Sequence, residues 1–173
     1  MADTVSAEQR SRNMSRIRSK NTKPELTVRR LLHRSGYRFR LHGAAAGSSL
    51  PGKPDLVFAA RRKVIFVNGC FWHTHSCPAG SHAPATNPEF WAAKRARTVA
   101  RDAAALKELE SAGWEALVVW ECELRDPSAL ETELAAFLGP PGRAASVDSS
   151  DTLHPTRGIS DDQELPAAAR RPL

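Results

Sequence analysis

The sequence predicts an α/β fold in which helices cover a mixed central β-sheet. Short apolar runs rich in β-branched residues are interspersed with longer segments whose apolar residues recur at helical spacing. The predicted order is helix, strand, strand, strand, helix, strand, helix. Turns join the first strands, which favours antiparallel pairing, whereas a helix precedes the last strand, which favours a crossover connection. We therefore expect one domain with helices packed on a sheet.

The first half of the domain is predicted to hold one helix and three strands. Thr22 and Glu25 are spaced as in a capping box, and Gly36 suits the end of the helix that follows. Arg61-Arg62 makes a hairpin connection. Residues 43–49 form a loop of small residues. The predicted strands cover residues 37–42, 56–58 and 64–67.

The second half is predicted to hold two helices around one strand. Asn87-Pro88 has the pattern of an N-cap followed by proline, and the long helix that it opens runs through Ser111. A strand follows at residues 114–120. Asp126-Pro127 begins a last helix, which Gly139 ends. The predicted buried face of the long helix comprises Ala92, Ala96, Val99, Ala103 and Leu106.

Two segments flank this domain. Residues 1–21 form a basic arm, residues 22–139 form the globular domain, and residues 140–173 are predicted to be a disordered tail. The tail is rich in Pro, Gly, Ser, Ala and Asp and has few large apolar residues, so it cannot form a core.

The charge distribution suggests a nucleic-acid partner. Residues 1–62 contain 14 Lys/Arg and 4 Asp/Glu, although the whole chain has a net charge of only +6. Basic charge concentrated at one end favours binding to a polyanion, with solubility alone as the alternative. The arm can order against a phosphate backbone or be a frayed terminus, and the sequence does not separate these possibilities.

Membrane and secretory classes are not indicated. No apolar run is long enough to span a membrane, and the N-terminus lacks the apolar segment of a signal peptide. We expect a soluble cytoplasmic protein with no membrane partner. Three cysteines in a reducing compartment favour metal binding over a disulfide framework.

Residues 64–77 combine an apolar strand with a turn rich in metal ligands. Cys70, His75, Cys77 and the distant Cys122 form a Cys₃His set, which predicts a structural zinc site with no open coordination position. Buried thiols or a reactive cysteine are the alternatives. His73 or His82 could replace His75 as the ligand.

Asp55 is the candidate for a catalytic metal site. It follows Pro-Gly-Lys-Pro at the start of a strand, where metal-dependent nucleases bind Mg²⁺, although Asp is also a common turn residue. The usual acidic-x-Lys triplet is absent from the next strand, where Val67, Asn68 and Gly69 stand. A second metal ligand is therefore available only as a backbone carbonyl, and His73 is the available general base.

Three aromatic residues and one carboxylate are open to two interpretations. Phe71-Trp72 on a metal-braced turn suit insertion between DNA bases, and Trp91 could join them, with a core position as the alternative. Glu25 suits helix capping better than catalysis. Arg12 and Arg16 on the arm and Lys94 on the long helix are candidate DNA contacts.

Together these residues resemble the very short patch repair (Vsr) DNA mismatch endonucleases. The similarity runs from about Glu8 to Arg125, and the Gly-Cys-Phe-Trp-His block with Trp-Glu-Cys downstream is its most specific part. The further matching blocks are residues 10–14, 22–25, 36–40, 50–55, 89–91 and 99–102.

The resemblance implies a restriction-endonuclease-like fold with structural zinc and an endonuclease domain at residues 22–139. It also implies Mg²⁺-dependent nicking 5′ to the thymine of a T·G mispair in double-stranded DNA. The implied site residues are Asp55 and the Val67 carbonyl for Mg²⁺, His73 as base with Glu25 in support, Cys70, His75, Cys77 and Cys122 for zinc, Phe71, Trp72 and Trp91 as a wedge, and Met14 in the minor groove.

One departure concerns Asn68, where family members often carry a second histidine. Asn68 can hydrogen-bond a phosphate oxygen but cannot protonate a leaving group, so a two-histidine mechanism is not expected. The resemblance further implies a monomer in the cytoplasm, associated with the nucleoid and linked to a cytosine-5 DNA methyltransferase and a repair polymerase. The alternatives are a restriction-type nuclease with another target and a non-catalytic, zinc-braced DNA-binding module.

Overall fold

The computed structural model describes residues 8–9, 12, 20–45 and 48–142. Its helices are α1 (Lys23–Arg34), α2 (Pro78–Ser81), α3 (Pro88–Ser111) and α4 (Pro127–Leu138), with 3₁₀ turns at Ala59–Arg61 and Glu121–Arg125. Its strands are β1 (Arg40–Leu41), β2 (Ala44–Ala45), β3 (Ser48–Ser49), β4 (Leu56–Phe58), β5 (Lys63–Asn68) and β6 (Glu115–Trp120). Met14, Arg16 and the tail from residue 143 onward lie outside the described residues.

The main sheet has four strands in the order β1-β4-β5-β6. β1 and β5 both pair antiparallel with β4, whereas β6 pairs parallel with β5. β6 follows α3, because parallel neighbours need a long crossover connection, which is usually a helix. The predicted mixed sheet and element order are thus confirmed. Within the described part of the chain, no helix is long and apolar enough to cross a membrane.

Helices cover both faces of the sheet, and β5 shows why. Its side chains alternate, so that Ile65 faces a core that includes α1 and α4, while Val64 faces a smaller core that includes Leu109 of α3. Val64 and Ile65 are both fully buried. The apolar run at residues 64–67 therefore reflects a strand covered on both faces.

Local sequence signals set most helix ends. The Thr22 side chain accepts a hydrogen bond from the Glu25 N–H, and Gly36 beyond α1 has φ of 85°. At α4, the Asp126 carboxylate accepts from the Ala129 N–H at 3.0 Å. Asn87 precedes α3 as predicted, but its φ of 53° is left-handed and its side chain makes no capping hydrogen bond. Pro88 therefore starts α3 without the expected side-chain cap.

Some predicted loops and strands differ. Only Arg40 and Leu41 of the predicted strand at 37–42 pair in the sheet, because Tyr37 instead turns into the core, where it is 4% exposed. The loop at 43–49 contains the small β2–β3 hairpin. The segment at 78–87, expected to be irregular, begins with the short helix α2.

Most of the predicted buried face of α3 is wrong. Its buried residues are Ala105 and Leu109, whereas the predicted Ala92, Ala96 and Ala103 are exposed and only Val99 and Leu106 are half-buried. Only the C-terminal half of α3 reaches the sheet, through Leu109. The first turns of α3 pack on the loop after β5. Contacts with that loop, and not the spacing of apolar residues, therefore decide which side of α3 faces the protein interior.

The hairpin arginines cap two helices that are distant in the sequence. Arg61 donates hydrogen bonds to the carbonyls of Leu138 at 2.6 Å, Pro140 at 2.7 Å and Gly142 at 2.8 Å, beyond the end of α4. Arg62 donates to Gly113 at 2.9 Å and also to Ala112, at the end of α3. The last carbonyls of a helix have no partner within the helix, so these contacts stabilise both ends.

We expect Arg61→Ala to lower the free energy of unfolding by about 1–2 kcal/mol, because charge-assisted hydrogen bonds to the end of α4 are lost. Urea denaturation measures the change. Arg30→Ala removes an exposed arginine from α1 and should change the stability by no more than about 0.5 kcal/mol. Equal effects of the two substitutions would contradict a capping role for Arg61.

Candidate active site and metal centre

The candidate active site is a cleft where β4 begins and β5 and β6 end. Its volume is about 510 Å³, and its lining includes Glu25, Asp55, Asn68, Trp72, His73 and Asp102. These residues come from α1, from the start of β4, from the end of β5 with the loop after it, and from α3. The fold thus brings Asp55, His73, Glu25 and Asn68 to one cleft, and the catalytic roles assigned to them stay predictions.

Asp55 is held against the central strand. Its Oδ2 accepts a hydrogen bond from the Val67 N–H at 2.8 Å, and this is the only hydrogen bond to its carboxylate within the described residues. Burial raises the pKa of Asp55 above its usual value, and the charge of Glu25 adds to this, while the Val67 hydrogen bond and Arg29 oppose it. A partly buried carboxylate that keeps one oxygen free is suited to bind a cation.

Glu25 is fully engaged as a helix cap. Its Oε1 accepts from the Thr22 hydroxyl at 2.9 Å, and its Oε2 accepts from the Asn21 N–H at 2.9 Å and from Arg29 at 2.7 Å. The side chain is 6% exposed. Both oxygens of Glu25, which lines the cleft, thus have partners. The predicted capping box forms only in part, because Thr22 accepts from the Glu25 N–H while Glu25 accepts from the backbone N–H of Asn21 and not from that of Thr22.

His73 forms a pair with an acidic residue of α3. The distance between His73 Nδ1 and Asp102 Oδ2 is 2.5 Å. Burial alone would raise the pKa of Asp102, but the hydrogen bond and charge of His73 and the neighbouring Arg101 outweigh it, so this pKa lies below its usual value. An ionised Asp102 keeps the proton of the neutral imidazole on Nδ1, which leaves Nε2 able to accept a proton.

The predicted metal ligands form one cluster. The Sγ atoms of Cys70, Cys77 and Cys122 and a ring nitrogen of His75 all lie within 4.8 Å of one another. His75 is thereby distinguished from His73 and His82, which do not belong to the cluster. His75 also stacks on Trp120 with a centroid distance of 4.4 Å, which fixes its ring. Three thiols and one imidazole around a common centre can hold a metal ion.

The thiols of this cluster differ strongly in acidity. Burial raises the pKa of Cys70 to about 12, whereas the hydrogen bond with His75 lowers the pKa of Cys77 to about 6. Close thiols cannot all ionise together without a cation, and metal binding requires thiolates. The donor set therefore fits a cation that neutralises several sulfurs at once.

The aromatic residues cluster beside the cleft. Ring centroids lie 5.1 Å apart for Phe71 and Trp72, 5.6 Å for Phe71 and Trp91, and 5.9 Å for Trp72 and Trp91. All three are partly exposed, so the alternative of a core position for Trp91 is not supported. Lys94 lies 5.2–5.4 Å from the centroids of Trp91 and Trp72. We call Phe71, Trp72 and Trp91 the aromatic wedge.

The basic arm is described only in part. Glu8, Gln9 and Arg12 are helical, and Arg12 pairs with Glu8 at 2.6 Å on the surface. Met14 and Arg16 lie outside the described residues, so their predicted DNA contacts stay predictions.

Sequence reasoning missed three residues of the site. Asp102 was assigned no role, although it is an acidic residue on an otherwise basic helix face, next to Arg101. Arg29 binds Glu25 across one helical turn, a spacing that could have indicated the pair. No sequence pattern indicates Arg95, because its partners Thr74, Gly80 and His82 lie in the loop after β5, far from it in the sequence.

Comparisons with known proteins identify the family of this chain. The family model for DNA mismatch endonuclease Vsr matches residues 2–79. The type II nicking enzyme V.XorIIP of Xanthomonas oryzae pv. oryzae is 48% identical over 140 residues, which cover 81% of this chain and 99% of that protein. The DNA mismatch endonuclease Vsr of Escherichia coli is 39% identical over 154 residues, 86% of this chain and 96% of that protein.

A solved structure was also found. The catalytic domain of the homing endonuclease I-Bth0305I matches with a TM-score of 0.45 and 21% identity, covering 68% of this chain and 94% of that one. The family model and the related sequences define a DNA endonuclease. The chain belongs to the Vsr family of DNA mismatch endonucleases, and it is a DNA-nicking enzyme of mismatch repair.

We expect Asp55→Asn to stabilise the protein at neutral pH in the absence of Mg²⁺. The raised pKa of Asp55 in the folded state means that burial disfavours its charge, so wild-type stability falls as pH rises through the interval between the unfolded and folded pKa values. Asparagine keeps an acceptor for the Val67 N–H without the charge.

Thermal unfolding between about pH 3 and pH 7 measures this effect. The advantage of Asp55→Asn should disappear at the acid end, where the wild-type carboxyl is neutral. Glu108→Gln, which removes an exposed carboxylate of α3, should leave the pH profile unchanged. A lower stability of Asp55→Asn at neutral pH would contradict the burial argument.

Proposed function

We propose that the protein nicks double-stranded DNA 5′ to the thymine of T·G mispairs, using Mg²⁺, and so initiates very short patch repair of deaminated 5-methylcytosine. The observation that supports this most is the position of the aromatic wedge. Phe71 and Trp72 directly precede His73 in one loop, so a group suited to open a base pair lies beside the candidate base.

Each residue of the cleft has a role in this proposal. His73 Nε2 accepts a proton from the attacking water, because Asp102 holds the other ring nitrogen. Asp55 and the Val67 carbonyl would hold Mg²⁺, which when bound would stabilise the charge that develops on the phosphate. Asn68, 7% exposed at the end of β5, donates a hydrogen bond to a phosphate oxygen but no proton. Glu25 fixes the wall of the cleft.

The wedge supplies recognition. Phe71, Trp72 and Trp91 enter the stack from the major groove, and unstacking costs a few kcal/mol, least at a weakly paired step. Lys94 lies over the rings of Trp72 and Trp91 and contacts the DNA strand beside the opened base pair. The arm at residues 1–21 lies along the duplex, with Arg12 and Arg16 on phosphates and Met14 in the minor groove. The domain at residues 22–139 is the catalytic unit.

The Cys₃His cluster binds a structural Zn²⁺. Zinc favours tetrahedral sites made of thiolate and imidazole, and four protein ligands leave no open position for water. When bound, the ion would stiffen the loop that holds the wedge and would take no part in the chemistry.

The cellular setting follows from this substrate. T·G mispairs of this origin require a cytosine-5 DNA methyltransferase, and a nick requires a repair polymerase to replace the strand. We propose that the protein acts as a monomer in the cytoplasm, associated with the nucleoid.

We expect the wild-type protein to nick T·G duplexes in Mg²⁺ and to leave T·A duplexes intact. Asp55→Ala should reduce the single-turnover rate by on the order of 10²–10³-fold or more, because charge stabilisation is lost, while binding to T·G duplex persists. Gel-based incision and fluorescence anisotropy give the two measurements, with Glu108→Ala as the control variant.

Equal nicking of T·G and T·A duplexes would instead indicate a restriction-type nuclease. Binding without Mg²⁺-dependent incision would indicate a DNA-binding module. Either result would refute the proposed function.

We expect about one zinc ion per purified chain, and we expect Cys122→Ser to lose it and to unfold at lower temperature, because the ion joins the loop after β5 to the end of β6. Elemental analysis and thermal unfolding provide the readouts. Ser76→Ala, an exposed position between two ligands, should keep the metal. A metal-free wild-type protein of full stability would rule out the zinc assignment.

A further inference from the structure

We propose that Arg95 is a positioning residue that couples the opening of a base pair by the aromatic wedge to the alignment of His73. The inference rests on the proposed function, since it concerns how the wedge and the base work together. It assigns a role to a residue that contacts neither the candidate metal cluster nor the catalytic carboxylate.

Arg95 extends from α3 into the loop that follows β5. Its Nε donates to the Thr74 hydroxyl at 3.2 Å, and one terminal nitrogen donates to the His82 carbonyl at 3.0 Å. The other terminal nitrogen donates to the Gly80 carbonyl. The guanidinium carbon lies 5.3 Å from the centroid of the Phe71 ring. One planar group thus contacts the wedge and three points of the loop.

These points flank the functional side chains. Thr74 lies between His73 and the candidate metal ligand His75, and it has a left-handed backbone with φ of 58°. Gly80 packs so closely on the backbone of His75 that a Cβ atom at this position would collide with it. The arginine therefore holds the loop on both sides of His75, where the backbone has little freedom to adjust.

Arg95 is one of three contacts along a single side of α3. Trp91 lies one turn before it and packs on Phe71, and Asp102 lies two turns after it and holds His73. Residues spaced by four and seven positions share one face of a helix. The same rigid helix therefore fixes the wedge, the middle of the loop and the base relative to one another.

The metal cluster does not replace this contact. Its ligands tie the loop to the sheet through Cys70 and Cys122, whereas Arg95 ties the opposite side of the loop to α3. Without Arg95 the loop keeps its sheet-side attachment, but Thr74, Gly80 and His82 lose their hydrogen bonds to the helix. Phe71 then loses one of its contacts with α3 and keeps the one with Trp91. Force on the wedge during base-pair opening would then displace the loop and move His73.

The guanidinium shape matters as well as the charge. Five N–H donors in a fixed plane can serve three acceptors in different directions while the face of the group packs on a ring. A lysine ammonium keeps the charge but cannot match this arrangement. Arg95→Lys should therefore behave more like a loss of function than a conservative change.

The test compares Arg95→Met and Arg95→Lys with Arg97→Met, which removes the same charge from an exposed position on α3. Single-turnover nicking of a T·G duplex at saturating enzyme gives the rate of the step after binding. A 2-aminopurine base next to the mispair reports unstacking by its fluorescence. Elemental analysis and thermal unfolding report the metal and the fold.

We expect Arg95→Met to nick about 10- to 100-fold more slowly at saturation, as misplaced catalytic groups do, with a reduced 2-aminopurine signal and an unchanged metal content. For Arg95→Lys, the decrease in the logarithm of the saturated nicking rate should be at least half of the decrease for Arg95→Met. Arg97→Met should weaken binding in a salt-dependent way and keep the saturated rate.

Nicking by Arg95→Met within twofold of wild type would overturn the inference, and so would an equal loss in Arg97→Met or a loss of the metal in Arg95→Met. If Arg95→Met does not fold, Arg95→Lys decides by the same criteria. If the wild-type protein nicks T·G and T·A duplexes equally, the proposed function fails. The Arg95 inference is then judged by comparing the saturated nicking rates of the variants and the wild type on a duplex that the wild type nicks.

Discussion

The functional residues meet because β5 lies between an antiparallel neighbour, β4, and a parallel neighbour, β6. The start of an antiparallel strand lies beside the end of its partner, whereas parallel strands end on the same side. The beginning of β4 and the ends of β5 and β6 therefore share one edge of the sheet. That edge holds Asp55, Asn68 and Cys122. A slip of one residue between β4 and β5 would break the hydrogen bond from Val67 to Asp55 and turn alternate side chains to the other face.

The cleft at this edge contains charged groups whose positions are energetically unfavourable. Asp55 is partly buried at a position where its charge is disfavoured, and the negative charge of Glu25 adds to this. Arg29 offsets this charge, although its Nε is buried without a hydrogen-bond partner in the described structure. Native proteins tolerate such groups mainly where function requires them. The capping interactions at Thr22, Arg61 and Asp126 stabilise the surrounding helices and help to offset this cost.

The loop after β5 illustrates how an irregular segment becomes rigid. Its own backbone forms tight turns, with Trp72 and His73 donating to the Gly69 carbonyl at 3.1 and 3.2 Å. The Cys/His cluster connects it to the sheet, and α3 contacts it from the other side. A wedge that separates stacked bases must resist a force comparable to the unstacking energy, which a mobile loop cannot do. The density of contacts around residues 70–82 is thus explained by the task proposed for the wedge.

The sequence by itself determined the features that depend on neighbouring residues or on unusual residue types. The cap at Thr22, the hairpin at Arg61-Arg62 and the Cys₃His set were all visible in it, because capping, turn formation and metal binding need particular side chains at short spacings. The family and its nicking activity also followed from such motifs. Only the tertiary structure decided which histidine joins the cysteines, which side of α3 faces inward, and that Asp102 and Arg95 hold the loop. These outcomes depend on what packs against each element, and a helix whose partner is an irregular loop shows no apolar periodicity that would reveal the contact.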